Sequence, residues 1–356
     1  MPAPFPIVDR PIRFALVGCG RISANHIDAL RQHAGRAELV AVCDNRPEAL
    51  AAAVAKTGVR GYASLDALLA VDGTGSNADI VVLATPSGLH PRQAMRAAQA
   101  GRHVLTEKPM ATKWDEGMQM VRACRDAGVK LFVVKQNRLN TTMQLLKAAV
   151  EQGRFGQIYM TTVNVFWTRP QSYYDDAPWR GRWDLDGGAF LNQASHYVDM
   201  VDWLVGPVDS VHAYTATLAR DIEAEDTGVM SLRLRRGGLA SINVTMLAYG
   251  KNFEGSVTIL GERGTVRVGG VAVNRIDHWE FDQPMPHDDA VRSASYQTTS
   301  VYGFGHPLYY ANVIDTLRGE ASAQVDGYEG LRSLEVVIAA YRSARDGVRV
   351  GLPLVF

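Results

Sequence analysis

The run Ile12-Arg13-Phe14-Ala15-Leu16-Val17, with the turn behind it, Gly18-Cys19-Gly20-Arg21-Ile22-Ser23, constrains this chain more than any other stretch. A short apolar and β-branched run bounded by glycine reads as a buried strand. A helical stretch follows to about His33. The pattern G-x-G-x-x-S carries meaning only in that context of strand before and helix after, because glycine-rich turns are common. Gly18 permits the tight turn, and Gly20 leaves the backbone open to a pyrophosphate. The helix start at Arg21 and Ile22 then offers free N–H groups to the phosphate.

The alternation continues. Strands are expected over 39–44, around Tyr62, over 79–84, 103–106 and 131–134. Helices are expected over 47–57, from Ser64, over 89–100 and over 112–127. Such a rhythm implies a parallel, doubly wound sheet with ligands at the carboxyl ends of its strands. Thr85, Ser87, His90, Glu107, Lys108 and Gln136 all fall at or just beyond such ends. Asp44 closes the second strand, where an acid accepts hydrogen bonds from ribose hydroxyls and repels a 2′-phosphate, which favours NAD over NADP. Two other readings stand beside it: Asp44 caps the helix beginning near Pro47, or Arg46 accommodates a 2′-phosphate. The Lys108-Pro109 bond is expected to be cis, turning the ammonium into the cleft; the plain alternative is an exposed loop lysine.

The second half is richer in strands, over 158–167, 208–217, 227–235, 240–247, 253–260 and 264–268, with glycine turns between. That succession implies a largely antiparallel sheet. The expected class is therefore α/β: a Rossmann domain over 1–137, then an α+β domain over 138–356 with an open, largely antiparallel sheet. Residues 269–300 read as loops with short strands, and 328–345 as a closing helix. The stretch 187–199 reads as one helix after a Gly-Gly turn, so that Asn192 and His196 share a face, with Ser195 between them. Arg169, Tyr173, Tyr174 and Arg180 combine forks suited to carboxylate or diphosphate with aromatic faces suited to sugar or uracil rings. Arg138 and Asn140 stand just past a strand end. The competing role for these side chains is a domain interface with structural ion pairs.

Lys plus Arg equals Asp plus Glu, 37 each, which argues against nucleic acid or an anionic membrane as the main partner. Cys19, Cys43 and Cys124 have no CxxC spacing and read as buried thiols in a reducing compartment. No metal cluster is expected. The Met1–Pro6 stretch lacks the pattern of a secretory leader and no apolar run is long enough to span a bilayer, so the expected location is the cytoplasm.

Gly18-x-Gly20, Ala84-Thr85-Pro86 with His90, and Glu107-Lys108-Pro109 together resemble the glucose–fructose oxidoreductase/inositol dehydrogenase (Gfo/Idh/MocA) family over nearly the whole chain. The resemblance implies that Lys108 contacts both nicotinamide and substrate hydroxyl. It also implies that the outer face of the second sheet forms an oligomer contact, in a homotetramer. Polyol dehydrogenases of the family carry an Asp and a His where this chain has Asn192 and His196, a departure that bears on the proton route. The longer pattern Arg169-Pro-Gln-Ser-Tyr-Tyr-Asp175, Trp179-Arg180-Gly181, Asp186-Gly187-Gly188-Ala189 and Asn192-Gln193-x-Ser195-His196 looks like the bacterial UDP-N-acetylglucosaminuronate 3-dehydrogenases. That resemblance implies NAD-dependent oxidation of the C3 hydroxyl of a UDP-sugar uronate, on the route to diacetamido uronic acids of lipopolysaccharide, with 2-oxoglutarate as a possible reoxidant. It also implies His196 as base and Lys108 as the charge on the alkoxide. A dehydrogenase of a free polyol or sugar, and a non-catalytic NAD-binding regulator, are the competing functions.

Overall fold

The computed structural model describes residues 5–70, 73–298 and 305–354. The first four residues of the stretch read above for a leader lie outside them. The chain forms two compact units, 1–134 with 306–331, and 135–305 with 332–356. The division is thus discontinuous rather than a single cut after residue 137.

In the first unit the order is β1 (Ile12–Val17), α1 (Ser23–Gln32), β2 (Ala37–Cys43), α2 (Pro47–Thr57), β3 (Arg60–Tyr62), α3 (Leu65–Leu69), β4 (Ile80–Leu83), α4 (His90–Gln99), β5 (His103–Thr106), α5 (Trp114–Asp126) and β6 (Leu131–Val133). The strands lie in the order β3-β2-β1-β4-β5-β6 and every pairing is parallel. β4 and β5 are buried along their whole length, as strands covered on both faces must be, which is why they read as unbroken apolar runs. Local signals set the helix ends. Proline starts α2 and Gly58, at φ 72°, closes it in the left-handed conformation. The Ser64 hydroxyl accepts the Ala67 N–H at 3.2 Å and caps α3. β1 and β4 are neighbours, so the turns after them, at Gly18 and Thr85, share the point where strand order reverses.

The second unit holds α6 (Thr141–Glu151), β7 (Ile158–Phe166), α7 (Gln171–Asp175), a π turn (Ala189–Gln193), α8 (Ser195–Val205), β8 (Val208–Ala216), β9 (Thr227–Leu234), β10 (Leu239–Thr245), β11 (Glu254–Gly261), β12 (Gly264–Gly269), β13 (Arg275–Phe281), α9 (Val291–Ala294) and β14 (Val350–Gly351). Its sheet runs β13-β12-β11-β7-β10-β9-β8-β14. β7 and β10 pair in parallel, and the other neighbours are antiparallel. β9 alternates buried and exposed residues along its length, the mark of a sheet covered on one face. α8 packs against β7 on the covered side. α10 (Gly305–Leu317) packs almost wholly within the first unit, while α11 (Gly327–Asp346) contributes to both.

Within the stretch expected to hold loops with short strands, Arg275–Phe281 forms the strand β13. One expectation changes. The stretch 187–199 is not one α-helix: a π turn ends at Ala194, and α8 begins afresh at Ser195. The Ala194 N–H bonds the Ala189 carbonyl at 2.9 Å, five residues back, which widens the turn. The spacing of Asn192 and His196 is therefore not a spacing along one α-helical face.

Candidate functional site

The glycine turn after β1 is built on two different constraints. Gly18 has φ +97°, and a Cβ there would lie 2.5 Å from the Ala84 carbonyl oxygen and 2.8 Å from the Thr85 nitrogen. Backbone cannot yield, so Gly18 is required by the fold. A Cβ on Gly20 would meet nothing within 4 Å. The fold leaves that space open, as a turn receiving a pyrophosphate must. Arg21 is exposed and Ile22 half-buried at the helix start, where no side chain caps the N–H groups.

Asp44 is tied into this turn. Its Oδ2 accepts the Cys19 N–H at 2.8 Å and its Oδ1 accepts the Arg46 N–H at 2.8 Å. The N-cap of α2 is Arg46, with no side-chain bond, so Asp44 does not serve as that helix's cap. Arg46 Nε lies 3.6 Å from Asp44 on an exposed side chain. Burial pushes the Cys19 thiol up to about 11, and the Asp44 charge adds to the rise, so it is no nucleophile.

At the end of β4 the Thr85 hydroxyl meets Gln93 Oε1 at 2.5 Å, and Ser87 is buried. His90 is more than a helix start. Its Nδ1 lies 3.0 Å from the Pro109 carbonyl oxygen and its Nε2 lies 2.9 Å from that of Thr85. Burial pushes this imidazole below its ordinary value, against the pull of the two carbonyls. His90 thus stands between the β4 turn and the Lys108-Pro109 turn, whose peptide bond is cis, and as a neutral imidazole donates to one of the two carbonyls. Lys108 itself is half-buried.

Behind Lys108 lies a buried cluster that sequence reasoning did not find. Glu107 faces His26 Nε2 at 3.2 Å and His306 Nε2 at 3.7 Å, and its Oε2 accepts the Lys108 N–H at 3.1 Å. His26 Nδ1 meets the Tyr310 hydroxyl at 2.8 Å. Burial alone would raise the Glu107 carboxyl, but His26 and His306 outweigh it and hold it well below the usual range. Glu107, a candidate cofactor ligand from its place at a strand end, turns inward instead. Residues 26, 107 and 306 are too far apart in the chain for any local pattern to announce them.

In the second unit Gln136, Asn137, Arg138 and Asn140 are all buried just past β6. Arg138 forms a bidentate pair with Asp199 at 2.7 Å on each arm, and its guanidinium stacks 5.4 Å from the Trp203 ring. This fork is committed to anchoring α8, the structural ion pair that was the competing reading. Gln136 Oε1, both amide atoms of Asn137 and Asn140 Oδ1 are buried without a hydrogen-bond partner among the described residues. Buried polar atoms of this kind call for a ligand or water.

Arg169 and Arg180 both stack on Tyr173, at 5.4 and 4.2 Å. Arg169 Nη1 donates to Asn252 Oδ1 at 3.1 Å, and Arg180 donates to the Tyr173 carbonyl. Tyr174 is buried, and burial raises its hydroxyl far above the ordinary value. The segment is an ordered Arg–aromatic stack rather than a loose loop.

The Asn192 amide donates to Asp186 Oδ1, while Asp186 Oδ2 accepts the Gly181 N–H at 2.8 Å. Position 192 lacks a carboxylate, yet one stands beside it. Ser195 Oγ lies 3.3 Å from the Asn192 carbonyl oxygen, and His196 is buried in the first turn of α8. Asp186 sits in the sequence directly before the Gly-Gly turn, the one local signal that could have drawn attention to it. Among the described residues no cluster of His, Cys, Asp and Glu could hold a metal ion.

Residues 12–135 match the model of the oxidoreductase family's NAD-binding Rossmann fold, and residues 147–352 match that of its C-terminal alpha/beta domain. The chain belongs to the Gfo/Idh/MocA oxidoreductase family. Among solved members of this Gfo/Idh/MocA family, the WlbA dehydrogenase from Bordetella pertussis, in complex with NADH and UDP-GlcNAcA, is 69% identical. That match covers 98% of this chain and 100% of that one, with a TM-score of 0.95. The WlbA dehydrogenase from Chromobacterium violaceum, in complex with the same two molecules, is 63% identical over 100% and 99% of the two chains, with a TM-score of 0.94. An inositol 2-dehydrogenase from Rhizobium meliloti is 27% identical, covering 96% of this chain and 99% of its own.

Proposed function

We propose that this protein oxidises the C3 hydroxyl of UDP-N-acetyl-2-amino-2-deoxy-glucuronate to the 3-keto sugar nucleotide, with NAD as oxidant. The observation that carries this reading is full-length similarity at 69% and 63% identity to two dehydrogenases solved with NADH and UDP-GlcNAcA. The free-polyol reading rests on much more distant relatives, such as the inositol dehydrogenase at 27%. A regulator without chemistry would have no need of Lys108 in the turn that His90 faces.

The open space at Gly20 and the Asp44 carboxylate at the end of β2 fit NAD, with Arg21 and Ile22 at the phosphate end and Thr85, Ser87 and Gln136 as further contacts. Bound NAD supplies a hydride acceptor at C4 of its nicotinamide. Asp44 favours a ribose diol over a 2′-phosphate by charge. Lys108 donates to the substrate oxygen as it gains negative charge, an electrostatic contribution worth about 3 kcal/mol in a dry site. His196 accepts the hydroxyl proton, and Asn192, held by Asp186, orients the sugar. Arg169, Tyr173 and Arg180 provide charge and ring faces for the nucleotide. The protein works as a homotetramer in the cytoplasm, on the route to diacetamido uronic acids of lipopolysaccharide, and 2-oxoglutarate reoxidises its NADH.

The test is incubation of the protein with NAD and UDP-GlcNAcA, with and without 2-oxoglutarate, following NADH absorbance and the 3-keto product by mass spectrometry. Lys108→Ala and His196→Ala should bind NAD normally and lose about 100-fold or more in kcat. Equal turnover of inositol or glucose would overturn the nucleotide-sugar reading. A His196 variant with normal kcat would remove His196 from the proton transfer.

A further inference from the structure

The π turn that carries Asn192 is closed at its start by groups from distant parts of the chain. The Ala189 N–H donates to the Glu225 carbonyl oxygen at 2.9 Å. The Phe190 N–H donates to Glu225 Oε1 at 2.8 Å. The Leu191 N–H donates to the Tyr341 hydroxyl at 3.3 Å, and that hydroxyl donates in turn to Glu225 Oε1 at 2.9 Å. Any helical turn leaves its first N–H groups without partners inside the turn. Here the residue in the capping position, Gly188, has no side chain to offer. Glu225 and Tyr341 take that part from elsewhere.

Gly188 makes this possible by what it lacks. A Cβ at residue 188 would lie 1.7 Å from Glu225 Oε2 and 2.1 Å from its carboxyl carbon. The carboxyl group therefore occupies the volume that any other residue would fill. Glu225 is 3% exposed, and Oε2 has no hydrogen-bond partner among the described residues. An ionised carboxylate with one oxygen unpaired at such depth is far costlier than a carboxylic acid. The titratable groups facing it are Tyr341 from α11 and Asp226 from its own segment. Burial keeps the Tyr341 phenol protonated, and Asp226 accepts the N–H groups of Leu218, Ala219 and Arg220. In keeping with this geometry, burial chiefly, with Asp226 adding, pushes the Glu225 carboxyl up to about 7.

We propose that Glu225 acts as a neutral carboxylic acid that caps the π turn and so fixes the positions of Asn192 and His196. It is a positioning residue for the dehydrogenation proposed above, and the inference rests on that reading for its kinetic consequence. Ionisation at higher pH leaves a buried charge without enough partners, loosens the cap and lets the turn drift.

The test uses the full-length protein and two variants, Glu225→Gln and Glu225→Ala, from pH 5.5 to 9 with NAD and UDP-GlcNAcA. Glutamine keeps the accepting oxygen and cannot ionise. It should match the wild-type kcat at pH 6 and lack the fall in kcat that the wild type shows above about pH 7. Alanine should lose about tenfold or more in kcat at every pH, with KM for NAD unchanged. A Glu225→Gln protein as impaired as Glu225→Ala, or one retaining the wild-type alkaline fall, overturns the proposal. A second readout needs no turnover: at pH 6 the wild type should show an infrared carbonyl band of a protonated carboxyl that Glu225→Gln lacks. Absence of that band overturns the proposal even where turnover is normal. Its presence in a protein that does not oxidise UDP-GlcNAcA overturns the functional reading and leaves the neutral cap standing.

Discussion

At the scale of single residues, the site depends on buried charges held by their partners. Glu107 is the clearest case, because it lies buried among His26, His306 and, through His26, Tyr310. Burial pushes His26 below its ordinary value despite the nearby carboxylate. Burial also raises the Tyr310 phenol far above its ordinary value, so the hydroxyl stays protonated 2.8 Å from His26 Nδ1. The sign of the pH effect follows. Glu107 is depressed in the folded chain, so its stabilisation is present above the unfolded value of about 4.3 and is lost as pH falls through the folded value. Glu107→Gln should cost about 2–4 kcal/mol at pH 7, since a buried network loses its charged centre. It should also flatten the loss of stability below about pH 4. Urea unfolding followed by circular dichroism across that range checks both. Parallel pH curves for variant and wild type would show that Glu107 is not the group titrating.

At the scale of elements, the turn after β1 separates what the fold requires from what a ligand requires. Gly18→Ala puts a methyl group into the backbone of residues 84 and 85 at a positive φ. It should cost about 2 kcal/mol or more of stability. Gly20→Ala meets nothing and should leave the melting temperature of the ligand-free protein unchanged. It should weaken NAD binding by about tenfold or more, because the methyl group takes the pyrophosphate's approach. Calorimetric titration with NAD, beside thermal unfolding, measures the two effects separately, and equal destabilisation by both would reject the distinction. This turn was legible because strand, glycines and helix are contiguous. So were β4 and β5, whose apolar runs follow from burial on both faces. The π turn was not legible, because its five-residue hydrogen bond and its caps depend on Glu225 and Tyr341, far along the chain. α10 escaped for another reason. Tyr309, Tyr310, Val313, Ile314 and Leu317 are buried on several sides of the helix, and a helix covered nearly all round shows no clean polar stripe. The commitment of Arg138 to Asp199 was equally invisible, since a fork for an internal carboxylate and one for a ligand's have the same sequence signature.

At the scale of the whole molecule, the second sheet has a face left open by its own unit. Register places Leu260 opposite Met160, and Met160 beside Leu239, in one row across β11, β7 and β10. A further pair, Tyr214 and Val229, lies across β8 and β9. All five are exposed, from 38% at Leu260 to 67% at Tyr214. Side chains at paired positions of a sheet project to the same side, so Leu260, Met160 and Leu239 form an apolar row on the uncovered face, ended by exposed Arg233 on β9, with the Tyr214–Val229 pair beside Asn243 further along it. A strip of this kind on a lone chain is costly in water and marks a contact surface. The homotetramer proposed above would bury it. Met160→Asp with Leu239→Asp in one chain places two charges at the centre of such a contact, where unpaired burial costs several kcal/mol. Light scattering of the wild type should give four chains per particle, and the double variant should give fewer. The circular dichroism spectrum should stay unchanged, because neither side chain contributes to the core of its own unit. A wild type that runs as one chain, or a double variant that keeps its assembly, would mean that this strip does not hold copies of the protein together.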